Sequence, residues 1–180
     1  ENTVASASVV STALSQADTQ ALLQEVPKAY QTRIHDVLLT ALAQAFAEWT
    51  GNRSLPVDLE GHGREDLFDD VDLSRTVGWF TTLFPVVLNI EASTSPNDAL
   101  KTIKEQIRSI PKRGIGYGVL RHLNQEAAEV WRRQSQVEVR FNYLGQTDQS
   151  FQESSLCIPA QEPIGTGRSL QGRRSHLLDI

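Results

Sequence analysis

Residues 54–65 read Ser54-Leu-Pro-Val-Asp-Leu-Glu60-Gly-His-Gly-Arg-Glu65, and a helix-patterned stretch precedes them. Leu55, Val57 and Leu59 alternate with Asp58 and Glu60. One face is apolar and the other acidic, the period of a half-buried strand. The strand delivers Glu60 to its C-terminal end, and Gly61-His62-Gly63 closes it. Upstream, Ile34, Leu38, Leu42, Ala45, Phe46 and Trp49 recur at three- and four-residue steps, which predicts one face of a helix, with Gly51 as its stop. A helix feeding a strand that must cover its apolar face predicts an α/β layer.

The pattern continues on both sides. Val4–Leu14, rich in Val, Thr and Ser, predicts a strand. Ser15 caps a predicted helix over Gln16–Glu25, with Pro27 beyond its end. An acidic turn holds Glu65, Asp66, Asp69, Asp70 and Asp72, and Phe84–Ile90 is a second strand carrying Pro85. Ser95-Pro96 opens a helix whose buried stripe is Leu100, Ile103, Ile107 and Ile110, stopped by Pro111. A glycine turn, Gly114 to Gly118, leads into a short helix through Leu123, and another helix covers Gln125–Arg133. Val137–Leu144 alternates as a strand, a Gln-, Ser-, Gly- and Pro-rich loop follows, and Ser175–Ile180 reads as a last strand. The expected fold class is α/β, a mixed sheet covered by helices.

Composition limits the function classes. The 180 residues are 39% hydrophobic, enough for a real core, which excludes collagen, coiled coil and wholesale disorder. There is no methionine, so the chain is expected to be a piece of a longer polypeptide with Glu1 at a boundary. Cys157 is the single cysteine and forms no internal disulfide, which points to a reducing, cytoplasmic compartment. No apolar run is long enough to span a bilayer, and no signal peptide is visible. Residues 1–100 carry a net charge of −9 and residues 101–180 a net of +4. Two differently charged faces of one domain account for this, and a basic docking patch for an acidic partner is the sharper alternative. Nucleic acid is not expected, because the basic residues are scattered without aromatic interleaving.

Most catalytic patterns are missing. No Gly-x-Ser-x-Gly elbow occurs. His35, His62, His122 and His176 are not spaced as metal ligands, so no metal is expected. Gly114-x-Gly116-x-Gly118 follows a helix and Pro111 rather than a strand, so it reads as turn glycines and not a nucleotide loop. Gly165-Thr-Gly167 reads as a loop for the same reason. Glu60 differs: it stands at a strand end, beside two glycines that admit a close approach, with Arg64 nearby. Spacing alone favours a surface carboxylate in a turn, salt-bridged to Arg64.

Four ordered blocks shift that choice toward a functional Glu60. Glu60-Gly-His-Gly-Arg-Glu65, Asp72-Leu-Ser-Arg-Thr-Val-Gly-Trp-Phe-Thr-Thr-Leu-Phe-Pro85, Pro111-Lys-Arg-Gly-Ile-Gly-Tyr-Gly118 and Phe141-Asn-Tyr-Leu-Gly-Gln146 resemble the C-terminal lobe of the epimerization domain of nonribosomal peptide synthetases. The similarity covers residues 1–180. The first block discriminates most, because it resembles epimerization domains rather than ordinary condensation domains.

The resemblance implies a chloramphenicol acetyltransferase-like lobe. Such lobes pair across a tunnel into which a carrier protein inserts a phosphopantetheine arm bearing an aminoacyl or peptidyl thioester. The implied reaction interconverts L and D forms: the α-proton leaves one face, the thioester carbonyl takes the charge as an enolate, and a proton returns on the other face. By resemblance Glu60 is one of the two proton-transferring groups, and the other is a histidine of a His-His-x-x-x-Asp-Gly motif in the N-terminal lobe. This chain has no His-His pair, so alone it is expected to be inactive. Tyr143 either helps position the thioester or supply a proton, or packs with Phe141 on one strand face. Asn142, Ser74 and Arg75 are implied substrate-binding residues. His62 is expected to point away from Glu60 and hydrogen-bond the turn. A guanidinium aimed at Glu60 would favour its charged form, so Arg64 is expected to face Glu65 or the acidic turn. Trp79, Phe80 and Phe84 are expected in the core or a lobe interface.

No cofactor is expected in the chain itself, since phosphopantetheine arrives as the substrate arm. Expected partners are the N-terminal lobe, a peptidyl carrier protein and neighbouring synthetase domains, with no nucleic acid or membrane. Arg113, Arg121, Arg132 and Arg133 are candidate carrier contacts. Two alternatives stay open: a peptide-bond-forming condensation lobe, and a non-catalytic carrier-docking module.

Overall fold

The computed structural model describes residues 2–91, 95–145, 162, 165 and 167–180. Glu1, Gln146, Cys157, Thr166 and nearly all of the polar loop lie outside the described residues.

Among the described residues, five α-helices and four strands form the α/β arrangement expected: α1 (Gln16–Tyr30), α2 (Ile34–Thr50), β1 (Ser54–Gly61), β2 (Thr82–Asn89), α3 (Pro96–Ser109), α4 (Ile115–Leu123), α5 (Gln125–Arg132), β3 (Val139–Phe141) and β4 (Leu178–Asp179). The sheet is mixed, in the order β2-β1-β3-β4. β1 runs antiparallel to β2 over its whole length and parallel to β3 at Asp58 and Leu59. β4 runs parallel to β3, pairing Arg140 with Asp179.

Two prolines fit this topology. Pro85 lies on the edge strand β2, where its missing N–H faces no neighbour. Pro56 pairs with Val87 at a point that β3, whose pairing begins at Asp58, does not reach.

The core sits between one sheet face and helices α2 and α3. Leu39, Val57, Leu59, Leu88 and Ile103 are its most deeply buried side chains. The alternation along β1 therefore sends Leu55, Val57 and Leu59 inward as expected. Ser95 caps α3, accepting from the Asp98 N–H at 3.2 Å, and Leu100 and Ile103 are buried on that helix.

Several expectations fail in informative ways. Val4–Leu14 is not a strand: Val4–Ser6 is a 3₁₀ turn, and Val10 is 95% exposed. Branched residues favour a strand only where a neighbour supplies a ladder, and Thr3 is the residue that bridges, to Arg173. Helix α1 begins at the Ser15 cap but runs through Pro27 to Tyr30. Contacts from α3 hold its end, with Lys104 Nζ donating to the Tyr30 carbonyl at 3.0 Å and Arg108 to the Gln31 carbonyl at 2.9 Å.

The buried stripe of α2 is Asp36, Leu39, Thr40 and Ala43, with Leu38, Leu42 and Phe46 packed alongside. Two polar residues could be buried because each is satisfied locally. Asp36 accepts the Arg33 N–H at 2.8 Å and Thr40 donates to the Asp36 carbonyl at 2.7 Å. Trp49, expected on the buried face, is 73% exposed. Of the aromatics expected in the core or a lobe interface, Phe84 is in the core, and Trp79 is exposed, which leaves the interface alternative for it.

The glycine turn is confined to Gly114. Gly116 and Gly118 lie inside α4, whose first residue is Ile115. β3 spans three residues rather than eight, and β4 two.

Candidate active site

Glu60 stands at the next-to-last position of β1, on the face opposite the core. β3 lies beside it, and the same alternation applies there: Val139 and Phe141 are buried, so Arg140 and Asn142 turn to the Glu60 side. Asn142 Nδ2 donates to Glu60 Oε2 at 2.7 Å, and Arg140 NH1 lies 3.4 Å from Glu60 Oε1. Each carboxylate oxygen thus has one strand-borne partner and keeps a further lone-pair direction for a proton. The Asn142 N–H is itself fixed, donating to the Ile180 carbonyl at 2.8 Å.

After Glu60 the chain turns, and its side chains separate. The Arg64 N–H donates to His62 Nδ1 at 3.0 Å. In the neutral ring the proton then sits on Nε2, which faces Glu65 Oε1 at 3.2 Å. His62 therefore hydrogen-bonds the turn. Gly63 is required there by its φ of +67° and by the Phe80 carbonyl oxygen, which occupies the place a Cβ would take. Arg64 reaches away from Glu60, donating to the carbonyls of Leu73 and Thr76 and stacking 4.2 Å over the Phe80 ring. It faces the loop of the acidic stretch but binds main-chain oxygens rather than carboxylates.

A cleft of about 370 Å³ opens at this end of β1. Leu59, Phe84, Ile107 and Ile110 give it apolar walls, and Glu60, Glu65, His35, His62, Arg33 and Arg113 contribute polar groups. Arg113 lies on the connection between α3 and α4, where it and Lys112 adopt left-handed backbone, with φ of 51° and 47°. Its guanidinium is 3.6 Å from Glu65 Oε2. Burial holds the His35 pKa below its usual value; Asp36 opposes this and Arg33 reinforces it.

Tyr143 is half-buried and packs against the core cluster, while Asn142 is exposed. Ser74 and Arg75 sit in a turn whose Ser74 N–H donates to Asp72 Oδ1 at 2.8 Å. Neither lines the cleft beside Glu60.

Sequence reasoning did not find Arg140, although strand alternation places it on the Glu60 face. It also missed a pair involving β1: the buried His176, whose Nε2 lies 2.8 Å from Oδ2 of the partly buried Asp58 and whose Nδ1 lies 2.9 Å from Ser175 Oγ. No group of three or more potential metal ligands occurs among the described residues, and no described helix is long and apolar enough to cross a membrane.

Comparisons with known proteins bear on the family and the fold. A family model described as the condensation domain matches residues 2–165. The chain is 53% identical over 181 residues to part of a linear gramicidin synthase from Brevibacillus parabrevis, covering 100% of this chain and 2% of the relative. It is 47% identical over 180 residues to the chondramide synthase of Chondromyces crocatus, covering 99% of this chain and 4% of that one. Among solved structures, the epimerization domain from the third module of tyrocidine synthetase B superposes with a TM-score of 0.81 at 35% identity, over 99% of this chain and 40% of that chain. The chain therefore spans a small part of those synthases and less than half of that domain. On the family match and the shared fold, the chain belongs to the condensation-domain family.

Proposed function

We propose that the chain is the C-terminal lobe of an epimerization domain in a nonribosomal peptide synthetase. It works with an N-terminal lobe to interconvert the L and D forms of an aminoacyl or peptidyl thioester. A peptidyl carrier protein presents that thioester on its phosphopantetheine arm. The observation that supports this reading best is the Glu60 carboxylate, held at a strand end by Asn142 at 2.7 Å beside an open cleft.

The chemistry requires one group on each side of the α-carbon. The Glu60 carboxylate takes the α-proton, the C–H electron pair moves toward the thioester carbonyl, and a group of the companion lobe returns a proton to the opposite face. The reverse direction begins with protonated Glu60. Asn142 fixes the carboxylate so that its open lone pairs point at one place rather than many. Tyr143, next along the chain, is the residue proposed to orient the thioester, and Ser74 and Arg75 are proposed to contact the substrate from the loop that Arg64 anchors.

The deciding experiment joins this lobe to a companion lobe and supplies a carrier loaded with an α-deuterated aminoacyl thioester. Loss of deuterium to solvent, with D product, is expected. Amide formation with a second loaded carrier, without deuterium loss, would instead establish the condensation reading, with which the family match is also compatible.

A further inference from the structure

The face of the sheet that carries Glu60 also carries a line of paired charges. Strand register sets Asp58, Arg140 and Asp179 side by side on β1, β3 and β4. Asp58 is engaged by the buried His176, at 2.8 Å, and so does not compete for Arg140. Arg140 is shared unequally between the other two carboxylates. Its Nε lies 2.8 Å from Asp179 Oδ1, whereas its NH1 lies 3.4 Å from Glu60 Oε1. Arg174 takes the second oxygen of Asp179, Oδ2, at 3.0 Å.

We propose that Arg140 is a positioning residue for Glu60, oriented by Asp179 two strands away from β1. The inference rests on the epimerization reading of Glu60. A guanidinium is planar and rigid, so a short bond at Nε fixes where NH1 points. Asp179 provides that bond, and Arg174 in turn fixes Asp179. The longer contact to Glu60 suits a group that must gain and lose a proton. An arginine whose sole partner was Glu60 would be left uncompensated each time the carboxylate became neutral, and leaving a partly buried charge unpaired is costly. Arg140 keeps Asp179 in both states. Glu60 can then change charge while its surroundings stay in place.

The test uses the completed two-lobed domain with its α-deuterated, carrier-bound thioester. Arg140→Met is expected to lower kcat for deuterium loss about tenfold, with KM for the loaded carrier unchanged within about twofold, the pattern of a misplaced reacting group. Arg140→Lys, which keeps the charge but loses the fork, is expected to recover part of the loss. An unchanged kcat in Arg140→Met would overturn the proposal. The double variant Arg140→Met/Asp179→Asn removes the partner that the first substitution leaves uncompensated, and it is expected to keep the defect. Recovery of kcat there would trace the effect to an orphaned Asp179 and would equally overturn it. Glu60→Gln separates the two levels. Full exchange in that variant refutes the role of Glu60, and this inference with it. Exchange lost in Glu60→Gln but normal in Arg140→Met refutes this inference alone.

Discussion

Gly114 and Gly116 are two residues apart in one motif, yet replacing each with alanine should move stability in opposite directions. Gly114 has φ of +80°, and a Cβ on it would stand 2.3 to 2.5 Å from ring carbons of Phe84. Phe84 cannot step aside, because it is buried in the core, pairs with Leu59 across β1 and β2, and lines the cleft beside Glu60. The left-handed backbone costs an alanine about 1 kcal/mol, and forcing a methyl into a packed ring costs about 2 kcal/mol more. The sum is about 3 kcal/mol. For a domain of this size each kcal/mol moves the melting temperature by about 2–4 °C, so Gly114→Ala should melt about 6–12 °C lower.

Gly116 lies inside α4, is exposed, and has nothing within 4 Å of where a methyl group would stand. An alanine there removes the entropy cost of helical glycine and should stabilise by about 0.5–1 kcal/mol. Thermal and urea denaturation of the two variants beside the parent reads both signs in one experiment. A Gly114→Ala protein as stable as its parent would show that Phe84 has room to move. A destabilised Gly116→Ala protein would show that α4 does not begin where it is placed. Either result would refute the account of this end of the cleft.

Other outcomes follow from the same geometry. The chain alone should catalyse no loss of deuterium from a carrier-bound α-deuterated thioester, and measurable exchange by it would show that a second proton-transferring group lies within these residues. His176→Ala should lower stability by about 2 kcal/mol in urea titration, because it leaves the partly buried Asp58 without its partner and opens a space where the buried ring stood; an effect near zero would mean that water replaces the imidazole freely. An NMR titration of His35 should show a midpoint below the ordinary 6.5, as its burial dictates. The sign for stability is then fixed: the unfolded chain binds this proton more readily, so the contribution of His35 is complete above 6.5 and is lost as pH falls from there through the folded-state pKa. Stability that rose as pH fell through that window, with the effect removed in His35→Gln, would contradict this.

What could be read along the chain was what depends on near neighbours. The β1 alternation, the Ser15 and Ser95 caps and the Gly51 stop each involve residues within a turn or two of one another, and each is present. The errors have a shared cause as well. Val4–Leu14 has strand-forming residues, but a strand exists only if another pairs with it, and that depends on residues far away. The α2 stripe was misplaced because Asp36 and Thr40 are polar by composition yet can be buried, once Asp36 accepts from the N-cap Arg33 N–H and Thr40 donates to the Asp36 carbonyl. Gly114, Gly116 and Gly118 look alike in sequence; the left-handed backbone of the first and the Phe84 ring against it, thirty residues earlier in the chain, distinguish it.

The candidate site shows the same division more sharply. Alternation places Glu60 on the outward face of β1 and would place Arg140 and Asn142 on the outward face of β3, so the orientation of all three was legible. Their meeting was not. β1 and β3 are parallel, and a parallel pair needs a long crossover rather than a tight turn; helices α3, α4 and α5 lie within that crossover. Nothing local ties residue 60 to residue 142, which is why family resemblance could name Glu60 and Asn142 without showing that they touch. It also explains the absence of Arg140 from the motifs. Its identity matters only through a register in which Asp58, Arg140 and Asp179 stand abreast. A residue that acts by holding another in place leaves its signature in geometry rather than in a run of letters. The ion pair from β4 through Arg140 to Glu60 therefore ties the last strand, two residues long, to the chemistry proposed at the α-carbon as well as to the sheet.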